Sequence, residues 1–184
     1  MKKQNLQKLC VSAVFIALST VLSFVKIYQA PLGGSVTLLS MVPVCLIGVL
    51  YGTKYAIAPC VLYGAIQMLQ GGVFGWGLTP SVLIAAILLD YILAFAVMCL
   101  SGLWRNKGFW GIVLGTAVAV FARFLCHFTS GVVLWTSFDI FNNPYIYSLV
   151  YNGMYMLPEL IFTMFGTYAL YKTTSIKAIN RLVK

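Results

Sequence analysis

Acidic residues are scarce: of 184 residues only three, Asp90, Asp139 and Glu159, carry a carboxylate, and charged side chains make up 8% of the chain. So little charge against 61% hydrophobic residues excludes a soluble domain of this size, which would precipitate sooner than present that surface to water. Ordered cysteine spacing is missing as well. Cys10, Cys45, Cys60, Cys99 and Cys126 are scattered, odd in number and free of any CxxC pair, which argues against a disulfide framework or a zinc site and leaves them as packing residues. There is one histidine, His127, and no nucleophile-and-base arrangement, metal-ligand cluster or phosphate-binding loop. Those absences exclude an ATPase within this chain, and no cofactor or metal is expected. An intramembrane acid–base pair of Asp90 and His127 is the one enzymatic reading left.

What is present is long apolar sequence. About 20 apolar residues cross a bilayer core of ~30 Å, and this chain divides into six such runs with very short links. The expectation is an all-α integral membrane protein, a single transmembrane domain over residues 1–184, with helices at about 9–28, 36–51, 55–70, 81–104, 109–134 and 146–171. Turn chemistry marks the breaks: Pro31-Leu32-Gly33-Gly34, Gly52-Thr53-Lys54, Gly71-Gly72, Arg105-Asn106-Lys107-Gly108 and Asn142-Asn143-Pro144. The second and third runs are short for full spans and read as tilted or irregular. Lys2-Lys3 before an apolar run resembles a signal peptide, but no small-residue cleavage site follows, so the first segment is expected to remain as a helix.

Basic residues orient the bundle, because loops rich in lysine and arginine stay on the cytoplasmic side. With both termini inside, Lys2, Lys3, Lys8, Lys54, Arg105, Lys107, Lys172, Lys177, Arg181 and Lys184 all fall inside and only Lys26 outside. The net charge of +9 therefore reports topology and not a nucleic-acid partner. On the same arrangement the glycine-rich GGVFGWG lies on the outer side, away from cytosolic nucleotide.

Within that frame RFLCHFTSGVVLW, Arg123 to Trp135, places Arg123, His127, Gly131 and Trp135 on one slowly drifting stripe of the fifth helix. Asp90, Tyr147, Tyr151 and Asn152 fall at similar outer depth on the fourth and sixth. A carboxylate in hydrocarbon costs at least a few kcal/mol, so Asp90 should face a polar cavity or a cation. One carboxylate, one imidazole, an amide and several aromatics suit a flat, cationic, heteroaromatic ligand. Each residue also has a plainer reading: Trp135, Tyr145 and Tyr147 as interfacial anchors, His127 as a helix-to-helix donor, and Asp90 as the partner of Arg123. Arg123 and Glu159, deeper still, read best as an ion pair. Ala13 and Ala17 form a small-xxx-small ridge that allows close helix approach, or else ordinary internal packing.

These residues resemble a known family. Six short-looped helices, the Ala13/Ala17 ridge and basic inner loops are similar to the S component, the substrate-binding subunit, of energy-coupling factor (ECF) vitamin transporters of the bacterial cytoplasmic membrane. More narrowly, QAPLGGSVTLLSMVPV, LLDYILAF, RFLCHFTSGVVLW and YIYSLVYNGMYMLP resemble the thiamine-specific S component. The resemblance implies a thiamine pocket in the outer half of the membrane, covered by the first loop. His127 and Trp135 would pack against the ligand rings, Tyr147 and Asn152 would bind it from the sixth helix, and Gly131 would leave room. Asp90, followed by Tyr91, stands where some members have glutamate. Some members carry a lid tryptophan in the first loop; Pro31 to Ser35 contains none, and Trp76 or Tyr28 are the nearest substitutes, neither favoured. Partners implied are a membrane coupling protein, docking on Ala13 and Ala17, and two cytoplasmic ATPases. The rival readings are an S component for riboflavin or for the pyrimidine precursor of thiamine, a self-sufficient permease, for which no interrupted-helix repeat is evident, and a structural subunit without ligand.

Overall fold

The computed structural model describes residues 3–31 and 33–173. Lys2, Lys177, Arg181 and Lys184 of the inner basic set, and Leu32 of the first turn, lie outside the described residues. The described residues form six helices: α1 (Lys3–Phe24), α2 (Met41–Tyr51), α3 (Thr53–Gly71), α4 (Pro80–Gly102), α5 (Gly108–Leu134) and α6 (Pro144–Lys172). By length and composition α1, α3 with its extension to Gly75, α4 and α5 suffice to cross a membrane. Their outer faces carry exposed Val14, Leu18, Val21, Leu62, Trp110, Leu114, Phe121 and Leu125, a continuous apolar exterior that only lipid or a membrane partner can cover.

Two expectations from sequence change here. The first helix stops at Phe24, not 28, and the second starts at Met41, not 36; between them β1 (Lys26–Gln29) pairs antiparallel with β2 (Ser35–Thr37). The cause is local: Pro31 cannot continue a helix, and Gly33 takes a φ of +99° that side-chained residues rarely adopt. The third helix, expected to be short, is 19 residues long. Only α2 is short, and every residue from Met41 to Leu50 is buried. At 1.5 Å per residue its 11 residues cover about 16 Å, so α2 is a central post that the other helices surround.

The α2–α4 crossing depends on two glycines. A Cβ on Gly48 would lie 3.1 Å from the Cys99 carbonyl oxygen and the Gly102 nitrogen, and one on Gly102 would lie 2.8 Å from the Thr53 nitrogen. Ser101 Oγ donates to the Cys45 carbonyl (2.9 Å) and Arg105 Nη1 to that of Leu50 (2.7 Å), tying the C-terminal end of α4 and the turn after it to α2. Gly48→Val is therefore expected to destabilise the bundle by about 1–3 kcal/mol through overpacking against immovable backbone, read as a lower thermal midpoint of detergent-solubilised protein. At the other end of the bundle Asn143 caps α6, its side chain accepting from the Tyr145 and Ile146 amides (3.0 and 3.2 Å), with Pro144 next in the chain. That cap aims the Tyr147–Asn152 turn at α5.

Candidate functional site

Asp90 is held by an irregular stretch of α4. Between Ile87 and Leu93 the backbone widens to a π-helix, a feature that turns a side chain out of ordinary register and recurs at functional sites. Asp90 Oδ1 accepts from His127 Nδ1 (3.0 Å), and Oδ2 from Ser130 Oγ (2.6 Å) and Trp135 Nε1 (3.4 Å). The indole N–H is shared with Ser130 Oγ at 3.1 Å. Three residues of α5 and its C-terminal end thus converge on one carboxylate of α4.

The far side of the imidazole settles its protonation. Arg123 Nε, which can only donate, points at His127 Nε2 (3.3 Å). Nε2 must therefore be the lone-pair nitrogen, and Nδ1 carries the proton given to Asp90. In this arrangement the His127–Asp90 contact is a hydrogen bond given by Nδ1–H to the Asp90 carboxyl group. The Arg123 guanidinium lies 4.1 Å above the Phe95 ring, with Nη1 3.0 Å from Met41 Sδ.

Arg123 is not paired with Glu159, contrary to the sequence expectation. Glu159 is 0% exposed, and its Oε1 accepts from the Thr37 amide (2.6 Å) and hydroxyl (2.7 Å) of β2. Matched depth on two helices did not bring the two charges together, because Arg123 follows its own helix to His127 one turn on. Nor is Arg123 the direct partner of Asp90; the imidazole stands between them.

The other expected residues are placed as follows. Asn152 is buried, its Nδ2 donating to the Ser148 carbonyl (3.0 Å), Ser148 Oγ (3.1 Å) and the His127 carbonyl (3.3 Å), while its Oδ1 accepts from Tyr155 OH (2.6 Å). It sutures α6 to α5 directly behind the imidazole. The space at Gly131 is taken by Ser148, whose Cβ would stand 2.9 Å from any Cβ there. Tyr147 is buried and stacked on Tyr151 with ring centroids 5.8 Å apart, and its hydroxyl has no partner among the described residues. Tyr91 reaches α3, where its ring lies 3.1 Å from the Cβ position of Gly71. Trp76 packs edge-on to Trp135 at 5.7 Å, and Tyr28 OH donates to Met154 Sδ (3.4 Å), so both first-loop substitutes lie at this end of the bundle. Ala13 and Ala17 are exposed on α1.

Ser130, Ser148, Tyr155 and Thr37 were not singled out from sequence. Ser130 could have been, standing three residues after His127 and so on its face of the helix; Thr37 carried no such signal.

A membrane-embedded helical bundle that gathers a lone carboxylate, an imidazole and a tryptophan at one end belongs to the class of small-molecule membrane carriers and receptors. A family model described as thiamine transporter protein matches residues 9–179. The thiamine transporter ThiT of Bacillus subtilis is 31% identical over 177 residues, covering 87% of this chain and 88% of that protein. A solved structure of ThiT from Listeria monocytogenes superimposes with a TM-score of 0.77 at 24% identity, over 97% of this chain and 99% of that one. The chain belongs to the thiamine transporter protein family, which comprises transporters and not enzymes, and it is a multi-pass protein of the bacterial cytoplasmic membrane.

Proposed function

We infer that this chain is the thiamine-capturing S component of an ECF-type transporter, one transmembrane unit over residues 1–184 with both termini in the cytoplasm. The observation that carries the reading is the Asp90 carboxyl group at the meeting point of His127, Ser130 and Trp135. Thiamine joins a permanently cationic thiazolium to an aminopyrimidine. Asp90 supplies the countercharge, and Trp135 and Tyr147 supply ring faces worth about 0.5–2 kcal/mol each in cation–π and stacking attraction. His127, Asn152 and Tyr91 are the hydrogen-bonding groups for the pyrimidine edge, and Gly131 keeps α6 close enough for them to converge. Of the three bonds on Asp90 the 3.4 Å contact to the indole is the longest.

The chain performs no chemistry on thiamine. Uptake is completed by a membrane coupling protein, docked on the Ala13 and Ala17 face of α1, and two ATPases. Reconstituted vesicles test this division of labour: labelled thiamine should accumulate only when the coupling protein, both ATPases and ATP are present. Accumulation by this chain alone would make it a self-sufficient permease.

A further inference from the structure

One face of α6 binds the β1–β2 hairpin at three successive turns. Tyr151, Tyr155 and Glu159 recur at i, i+4 and i+8. Gly34 N–H donates to Tyr151 OH (3.2 Å), and Gly34 lies so close to the Tyr155 ring that a Cβ would stand 3.1 Å from its Cζ. Thr37 then gives both its amide and its hydroxyl proton to Glu159 Oε1, and Ser40 Oγ, 2.6 Å from Thr37 Oγ1, donates in turn to that hydroxyl. The middle rung also touches the site, because Tyr155 donates to Asn152 and sets its ring edge-on to His127 at 6.3 Å. The hairpin and the ligand-facing groups therefore share one tyrosine.

Glu159 is an expensive way to hold a loop if stability were all that mattered. Its Oε2 is buried without a partner among the described residues, and a buried carboxylate is generally no better for a core than an apolar side chain of similar volume. What the carboxylate adds is dependence on the hairpin. Both its donors come from Thr37, so lifting β2 would strand an unpaired acid inside the bundle, a state far costlier than the bonded one. A leucine would impose no such cost on an open hairpin.

We propose that Glu159 is a positioning residue for ligand retention: through Thr37 it pins the β1–β2 hairpin to the face of α6 whose Tyr155 meets Asn152 and His127, and so slows the escape of bound thiamine. This rests on the proposed thiamine site, yet the pin itself is testable without ligand. In Glu159→Leu, amide hydrogen exchange over residues 33–40 should accelerate about tenfold or more in detergent-solubilised protein, with α5 unchanged. In Glu159→Gln, which keeps an oxygen acceptor for both Thr37 protons, exchange should stay near that of the unaltered chain. Thiamine dissociation should accelerate about tenfold in Glu159→Leu and in Thr37→Val, with association nearly unchanged, and should be close to normal in Glu159→Gln. Unchanged exchange in Glu159→Leu would overturn the proposal, as would faster exchange with an unchanged dissociation rate. Should the unaltered chain fail to bind thiamine, the proposed function falls, and the exchange comparison alone still decides whether Glu159 pins the hairpin.

Discussion

Asp90→Asn is expected to fold normally and to lose thiamine affinity by about a hundredfold, since removing one member of a buried charge pair costs 2–5 kcal/mol or more. Folding survives because a neutral amide can still satisfy the network. Its oxygen can accept from His127 Nδ1–H, and its NH2 can donate to Ser130 Oγ, whose hydroxyl rotates freely. His127 cannot compensate by exchanging its proton between nitrogens, because Arg123 Nε already donates to Nε2. What disappears is the negative charge, and the thiazolium then enters a site holding the Arg123 cation with nothing to balance it. Isothermal titration with thiamine measures the loss. The isolated aminopyrimidine, which lacks the permanent cation, serves as control, and its weaker affinity should change little. An equal loss for both compounds would mean that Asp90 shapes the pocket and does not neutralise the ligand.

The second large effect separates binding from transport. Replacing Ala13 or Ala17 with tryptophan should reduce thiamine uptake to background while thiamine affinity and thermal stability remain unchanged. Both alanines are exposed on α1 and face away from the bundle, so a large side chain there meets lipid when the chain is alone. It becomes an obstacle only when another helix must approach closely over that ridge. Binding is measured on the purified chain and uptake on vesicles containing the coupling protein and ATPases. Loss of binding with normal assembly would remove the ridge from the docking role.

The six helices were legible because apolar length and turn chemistry are strong signals in a membrane chain. Asn142-Asn143-Pro144 became a helix cap and an N1 proline, as its residue types suggest. The hairpin was not legible, because strands of four and three residues are too short for a period-2 pattern to stand out from the flanking apolar helices. The π-helical turn that carries Asp90 has no side-chain signature; it lies where α4 packs on α3 and α5. The convergence of Asp90, His127 and Trp135 at one end of the bundle could be read from depth along two helices. The Glu159–Thr37 bond could not, since it joins residues 122 positions apart and Thr37, read as part of a helix, lies in a strand. Depth ranks residues along the membrane normal but says nothing of azimuth, and for that reason the expected Arg123–Glu159 pair failed while the Asp90 set came together.

If the Asp90 end of this bundle binds thiamine, the ligand changes the surroundings of the tryptophans there. The most direct test is titration of the purified protein with thiamine, following tryptophan fluorescence, with riboflavin, biotin and the isolated pyrimidine as comparison ligands. Trp135 lies on the carboxylate and Trp76 against Trp135, so the account predicts saturable quenching by thiamine at a single site, abolished in Trp135→Phe and strongly weakened in Asp90→Asn. Folded protein that shows no saturable response to thiamine, or responds more strongly to another of the ligands, would contradict it.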